Sequence, residues 1–167
     1  MAESPSAEIS SRLLGGLGRV TYQWAFVEAV EGMLFAFLLQ ANYEFIHVVT
    51  ASVSGSTLTD WIRTLVPIRF TDAATQEGLH DLLNRIDEAR SERNLFVHGM
   101  WTAGNTPDTA FVTTINWNRR EVMVNRVVGA DDLNSLAEAI GDIYSELVWL
   151  GKQVGFYTMP DPAAEKS

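Results

Sequence analysis

The chain has 167 residues, no cysteine and a formal net charge of −9 at pH 7. This length predicts one domain with one hydrophobic core, and the lack of cysteine excludes both a disulfide framework and a thiolate metal site. An acidic chain does not bind the phosphate backbone of nucleic acids through a broad basic surface, so any RNA contact is expected to be local.

Both ends of the chain are polar and contain proline. We predict flexible tails at 1–7 and 158–167, flanking one helical domain at 8–157. No basic stretch precedes an apolar run at the N-terminus, so we expect no secretory signal and a cytoplasmic location.

The first helical pattern is interrupted by Gly15, Gly16 and Gly18. Each glycine lowers helix propensity, so we predict a short first helix followed by a bend. The strongest helix signal then covers 21–40, which is apolar around most of its circumference. A helix of this kind is typical of the centre of a bundle or of lipid.

The membrane alternative is disfavoured by two charges within this helix. Glu28 and Glu31 lie near its middle, and its longest apolar run is 32–39. That run is far shorter than the ~20 residues that cross a bilayer. We therefore expect no membrane association, and a central helix that can take part in a dimer.

Two shorter helices are predicted next. The segment 44–53 is apolar and bounded by turn residues, which favours a short helix over a strand. Ser56 or Thr57 can cap the following helix, and Pro67 is expected to stop it.

A long helix follows, with Thr71 or Asp72 as its N-cap. Gly99 is expected to end this helix by adopting a left-handed backbone conformation. Its apolar stripe consists of Leu79, Leu82, Leu83 and Ile86.

The next part of the chain has the signature of β structure. After a loop at 103–108, the segments 111–117 and 122–127 alternate and are rich in β-branched residues, with 118–121 as the turn between them. These features predict a β-hairpin, which should lie against helices because a lone hairpin is marginal in water.

A final helix is predicted, with Asp131 or Asp132 as its cap. The predicted fold is therefore mainly α. It is an up-and-down bundle of four to five helices, with one small β-hairpin between the last two long helices.

Two arginines occupy the apolar stripe of the long helix before the hairpin. At ~100° per residue, Arg90 and Arg93 fall on the same face as the leucines. Burial of a guanidinium group is energetically unfavourable unless it is paired with a carboxylate or a ligand anion, or lies at a hydrated subunit interface. Glu28 and Glu31 are the natural internal partners.

The polar residues at the end of this helix pose a geometric problem. Asn94 and His98 share one ridge, whereas Arg93 and His98 point ~140° apart. Convergence needs the long arginine side chain, a distorted helix end, or a second copy of the helix across a two-fold axis. If these residues form a site, we expect a homodimer.

A purely structural interpretation fits the same residues. A histidine at a helix end can act as a C-terminal cap, and an inward arginine can form a structural ion pair with glutamate. Trp101 can pack in the core rather than stack on a base.

The long helix ends in the motif Arg93-Asn94-x-x-x-His98. This motif resembles that of the HEPN superfamily, a group of small helical domains defined by an arginine followed within a few residues by a histidine. The resemblance implies a dimeric, metal-independent endoribonuclease without a cofactor. Arg93 would bind and polarise the scissile phosphate, Asn94 would orient it, and His98 would act as general acid or base while a ribose 2′-hydroxyl attacks.

Further residues are expected to support this site or bind substrate, namely Glu28, Glu31, Arg90 and Trp101. Members of the family act as toxins, in defence systems or in RNA processing, which implies RNA and an antitoxin-like protein as partners. The alternative is a non-catalytic dimeric bundle that binds a nucleotide, an anion or a protein partner.

Overall fold

The computed structural model describes residues 9–116 and 121–157. Within these residues there are five helices, α1 (Ser11–Leu39), α2 (Tyr43–Thr50), α3 (Gly55–Arg69), α4 (Ala73–His98) and α5 (Ala130–Val154), and three strands, β1 (Met100–Ala103), β2 (Thr109–Asn116) and β3 (Glu121–Gly129). The predicted mainly α fold, with a small β element between the last two long helices, is confirmed. Both predicted tails and most of the predicted hairpin turn lie outside the described residues.

The β element has one strand more than predicted. Its strands form an antiparallel sheet in the order β1-β2-β3, and β1 pairs Met100 with Thr113 and Ala103 with Ala110. The predicted hairpin is present as β2 and β3, and β1 adds a third strand at its edge that the sequence did not predict. With only four residues, β1 is too short to give a clear period-two signal, and its pairing depends on the edge that β2 offers.

The predicted break near the N-terminus is absent, because α1 is continuous from Ser11 to Leu39. Gly16 is buried, and a Cβ atom at this position would lie 2.8 Å from the Cβ atom of Leu133 in α5. The glycine thus permits close helix packing. This tertiary contact outweighs a propensity cost of about 1 kcal/mol per glycine.

The start and the end of α3 also differ from the prediction. Its N-cap is Ser54, whose hydroxyl oxygen accepts a hydrogen bond of 3.2 Å from the backbone N–H of Thr57. Pro67 does not stop the helix, which continues to Arg69. A proline in the last turn removes one backbone donor, while the N–H of Phe70 still donates to the carbonyl of Val66 at 2.9 Å.

An aspartate near the start of α4 and another near the start of α5 accept backbone hydrogen bonds. Asp72 caps α4 as predicted, and hydrogen bonds from the hydroxyl and then the backbone N–H of Thr75 lower the pKa of Asp72. Neither predicted aspartate is the cap of α5. That helix begins at Ala130, and Asp132 in its first turn accepts a hydrogen bond of 2.7 Å from the N–H of Gly129.

The chain divides into two compact units. Among the described residues, unit 1 contains 9–24 and 88–141, which include the start of α1, the end of α4, the sheet and the start of α5. Its core is formed by buried apolar side chains, among them Leu13, Val20, Trp24, Phe96, Val112, Val128, Leu133 and Ile140.

Unit 2 contains 25–87 and 142–157 among the described residues. It includes α2, α3 and the remaining parts of α1, α4 and α5. Its core includes Val27, Leu34, Ile46, Ile62, Leu79, Leu82, Leu83, Ile86 and Leu147. The prediction of a single domain at 8–157 stays a prediction.

By length and composition alone, α1 is apolar enough to cross a membrane, and it is the one described helix with this property. Half of its most apolar window is buried inside the protein. The core helix of a soluble protein meets the same criterion.

The end of α4 is determined by a close approach of the backbone to the sheet. The helix ends at His98, but Gly99 is not in the predicted left-handed conformation, because Gly155 is the one described glycine with positive φ. A Cβ atom at Gly99 would collide with Cγ1 of Val112 and lie 2.5 Å from the carbonyl oxygen of Leu95. Only glycine therefore fits between α4 and β2.

We expect Gly99→Ala to lower the free energy of unfolding by about 1–3 kcal/mol, because the added methyl group overlaps atoms that cannot easily move. Gly78→Ala is the matched control, since Gly78 lies in α4 with open space around its Cα atom. This control should gain about 0.5–1 kcal/mol from helix propensity. Urea denaturation of both variants measures the difference, and equal stabilities would contradict the close approach.

Candidate functional site

The end of α4 is anchored to the sheet by Phe96 and its neighbours in unit 1. Phe96 is buried, its carbonyl accepts a hydrogen bond of 2.7 Å from Nε1 of Trp101, and the two rings lie 6.3 Å apart. The Arg126 guanidinium lies 5.6 Å above the Phe96 ring, and its Nη1 donates to both carboxylate oxygens of Glu92 at 2.8 and 2.9 Å. These contacts fix the last turns of α4 relative to β1 and β3.

The contacts described for Trp101 are structural. Its indole N–H satisfies one of the last carbonyls of α4, which have no partner inside the helix. The ring is partly buried against Phe96. This geometry agrees with the packing interpretation of Trp101.

Two arginines of α4 lie on one tryptophan of α1. The guanidinium carbons of Arg90 and Arg93 are 5.4 and 5.8 Å from the ring centre of Trp24, which is 1% exposed. A guanidinium on an indole face is attracted by the ring quadrupole, and the stabilisation grows when water is excluded. The aromatic face therefore contributes to the accommodation of both cations on a mainly apolar stripe.

Trp24 was not identified as a site residue from the sequence. It appears there as one of many apolar residues of α1, and nothing local distinguishes it from the others. Its role depends on the tertiary alignment of α1 with α4, which no sequence periodicity gives. The presence of two arginines on an apolar stripe does, however, indicate that some partner must exist.

The Arg93 side chain bends towards Asn94. Nη1 of Arg93 donates a hydrogen bond of 2.9 Å to Oδ1 of Asn94, whose side chain is exposed. Nε of Arg93 is buried and has no hydrogen-bond partner within 9–116 and 121–157. The tip of the guanidinium is thereby brought to the ridge that carries Asn94.

His98 lies one helical turn beyond Asn94 and is also exposed. Residues four apart on a helix lie on the same ridge, so the amide and the imidazole face the same region of solvent. In the described part of the chain, no hydrogen bond or ion pair links His98 to another residue. Its imidazole is accessible at the helix end.

This arrangement answers part of the geometric problem posed by the sequence. The side chains of Arg93 and His98 leave the helix in different directions. The Arg93 side chain is long enough, however, to reach Asn94, which lies on the same ridge as His98. We refer to Arg93, Asn94 and His98 as the α4 ridge. No direct contact between Arg93 and His98 is present, so a ligand would have to bridge them.

The two predicted acidic partners belong to unit 2. Glu28 is exposed, whereas Glu31 is buried and accepts a hydrogen bond of 3.0 Å from the hydroxyl of Thr59. Their predicted ion pairs with Arg90 and Arg93 stay a prediction.

The α4 ridge combines a guanidinium, an amide and an imidazole, a set suited to an anion. The guanidinium offers several N–H donors, and the imidazole nitrogens can donate or accept hydrogen bonds. In the ranges that the structure describes, no group of three or more His, Asp or Glu side chains could hold a metal ion. Comparison with known proteins finds no matching family model, no matching curated protein and no matching solved structure.

Proposed function

We propose that the protein is a metal-independent endoribonuclease of HEPN type, located in the cytoplasm and active as a homodimer. The observation that supports this proposal is the α4 ridge, in which the Arg93 guanidinium reaches Asn94 one turn before the accessible His98. A phosphate on this ridge would meet N–H donors at one end and an imidazole at the other. The Trp24 ring beneath Arg93 orients the donors before substrate binds.

The proposed reaction is an internal displacement at phosphorus. The ribose 2′-oxygen forms a bond to phosphorus, and the bond from phosphorus to the 5′-oxygen of the next nucleotide breaks. The 2′-hydroxyl loses a proton to a base, and the leaving 5′-oxygen gains one from an acid. The products are a 2′,3′-cyclic phosphate and a 5′-hydroxyl end.

The proposed reaction needs two proton transfers, and this requirement favours a dimer. Each chain offers one histidine on the ridge, and one imidazole cannot be base and acid in the same step. A neutral His98 would accept the proton of the 2′-hydroxyl, while a protonated His98 of a second copy would donate to the leaving oxygen. Arg93 would stabilise the charge that develops on the phosphate oxygens.

The charge of the chain restricts how RNA can bind. At a net charge of −9, long-range electrostatics repel RNA, and binding depends on the few donors of the ridge. This favours a short single-stranded segment over an extended duplex. A role in a toxin–antitoxin or defence pair, with an antitoxin-like protein covering the ridge, forms part of the same proposal.

A second candidate function is binding without catalysis. Arg93 already has an aromatic partner and a hydrogen bond to Asn94, and no contact joins it to His98. Such a network can hold a nucleotide, an anion or an acidic segment of a protein partner in a non-catalytic dimeric bundle.

The proposal is tested by incubating the purified protein with mixed RNAs in excess EDTA and mapping the product ends. We expect cyclic phosphate ends, and a loss of at least about 100-fold in rate for Arg93→Ala, because a preorganised donor to the phosphate is removed. Arg85→Ala is the matched control, since Arg85 lies on the same helix and pairs with Glu146.

Cleavage that is absent in the wild type, or equal in wild type and Arg93→Ala, would contradict the ribonuclease proposal. Binding of a nucleotide that requires Arg93 but leads to no cleavage would instead support the second candidate.

A further inference from the structure

Unit 2 contains a cleft of about 430 Å³ between the end of α1 and the end of α3. Small-molecule sites in proteins have volumes of roughly 300–1,000 Å³, so the cleft is large enough for a ligand with several heavy atoms. Its lining consists of Ala36, Phe37, Gln40, Ala41, Arg69 and Phe70. Among these described residues, Arg69 is the one that carries a charge. The cleft therefore departs from the acidic character of the whole chain, whose net charge is −9.

Arg69 has a fixed position and unused hydrogen-bond donors. Its Nε donates a hydrogen bond of 2.8 Å to the carbonyl of Leu38, one of the carbonyls at the end of α1 that have no partner inside the helix. Within 9–116 and 121–157, neither Nη1 nor Nη2 of Arg69 has a hydrogen-bond or ion-pair partner. Because the carbonyl is uncharged, the half-buried guanidinium group keeps its full charge and its remaining N–H donors for a ligand.

Two aromatic rings form the apolar part of the cleft. The rings of Phe37 and Phe70 have centres 6.2 Å apart and planes inclined by 20°. Phe156, which is 7% exposed, packs on Phe37 with its ring centre at 6.1 Å. Both lining rings are partly exposed, so a further aromatic ring can reach them and pack in an offset-stacked or edge-to-face arrangement.

The donors of the cleft come from side chains rather than from the backbone. The N–H groups of Gln40 and Ala41 already donate to the carbonyls of Phe37 and Ala36, each at 3.0 Å. The side chain of Gln40 is exposed and forms no hydrogen bond with other residues that the structure describes. Its amide can therefore assist the Arg69 guanidinium group in binding a ligand oxygen.

We infer that this cleft binds a small aromatic carboxylate, with its carboxylate group on Arg69 and its ring against Phe37 and Phe70. A guanidinium group pairs with a carboxylate through two parallel hydrogen bonds, which fixes the orientation of the ligand. An aliphatic anion would leave the two phenylalanine rings unused, and a neutral aromatic molecule would leave the charge unused. The inference does not rest on ribonuclease activity, since all the lining residues belong to unit 2.

NMR titration of the purified full-length protein with benzoate tests this inference. We expect saturable shifts of the backbone amides of Gln40, Ala41 and Phe70. Benzyl alcohol keeps the ring without the charge, and acetate keeps the charge without the ring, so each should bind at least about tenfold more weakly. Absence of saturable benzoate shifts at these amides, or equal dissociation constants for benzoate and either analogue, would overturn the inference. This comparison uses the wild type and does not depend on the folding of a variant.

Substitution of the lining arginine gives the second test. Arg69→Gln should raise the dissociation constant of benzoate at least about tenfold, because a charge-assisted pair is lost. Arg63→Gln is the matched control, since Arg63 lies on the same helix, pairs with Asp60 and Asp87, and does not line the cleft. Arg93→Ala separates the cleft from the α4 ridge and should leave the dissociation constant unchanged. Equal weakening in the Arg69 and Arg63 variants, or loss of the shifts in Arg93→Ala, would overturn the specific site.

Discussion

His98→Ala should reduce RNA cleavage by about 100- to 10,000-fold while leaving the free energy of unfolding within about 0.5 kcal/mol of the wild type. The imidazole is exposed and forms no hydrogen bond or ion pair with other described residues, so its removal costs the fold little. It is the one group of the α4 ridge suited to act as a general acid or base. Cleavage rates in excess EDTA and urea denaturation measure the two quantities.

His80→Ala is the control for this variant, because His80 lies on the same helix and belongs to neither proposed site. Its cleavage rate should equal that of the wild type. A His98→Ala protein that is folded and cuts RNA at the wild-type rate would remove His98 from the mechanism.

Trp24→Ala is expected to have the largest effect on stability, a loss of about 3–5 kcal/mol. The side chain is 1% exposed in the core of unit 1, so truncation creates a cavity. The same change removes the ring on which the Arg90 and Arg93 guanidinium groups lie, which leaves two cations with weaker support. Denaturation in urea with an unchanged m-value would report this loss.

Trp149→Ala gives the matched control, since Trp149 is 61% exposed and should change stability by less than about 1 kcal/mol. Trp24→Phe keeps an aromatic face and should lie between wild type and Trp24→Ala. Equal losses for the alanine variants of Trp24 and Trp149 would contradict the buried aromatic platform.

Helices whose signal is local could be predicted from the sequence. The apolar periodicity of α4 and α5 and the cap at Asp72 depend on neighbouring residues, and they appear in the structure as expected. The continuity of α1 past its glycines could not be predicted, because it depends on Leu133, which is distant in sequence. The same holds for β1, whose four residues become a strand through pairing with β2.

The candidate site, too, could be predicted only in part from the sequence. The sequence locates Arg93, Asn94 and His98 at the end of one helix, and helical geometry places the last two on one ridge. The bend of Arg93 towards Asn94 and the ring of Trp24 beneath it depend on side-chain conformation and on packing between helices. Those features cannot be derived from the spacing of residues within α4.

The central claim is that Arg93, Asn94 and His98 form one phosphate-binding site. NMR titration with a deoxydinucleotide tests it most directly, because a ligand without a 2′-hydroxyl binds but cannot be cleaved. We expect the NMR signals of the Asn94 side-chain amide and the His98 imidazole to shift with the same dissociation constant, and Arg93→Ala to abolish both shifts. Shifts that follow different dissociation constants, or that persist unchanged in the folded Arg93→Ala variant, would contradict it.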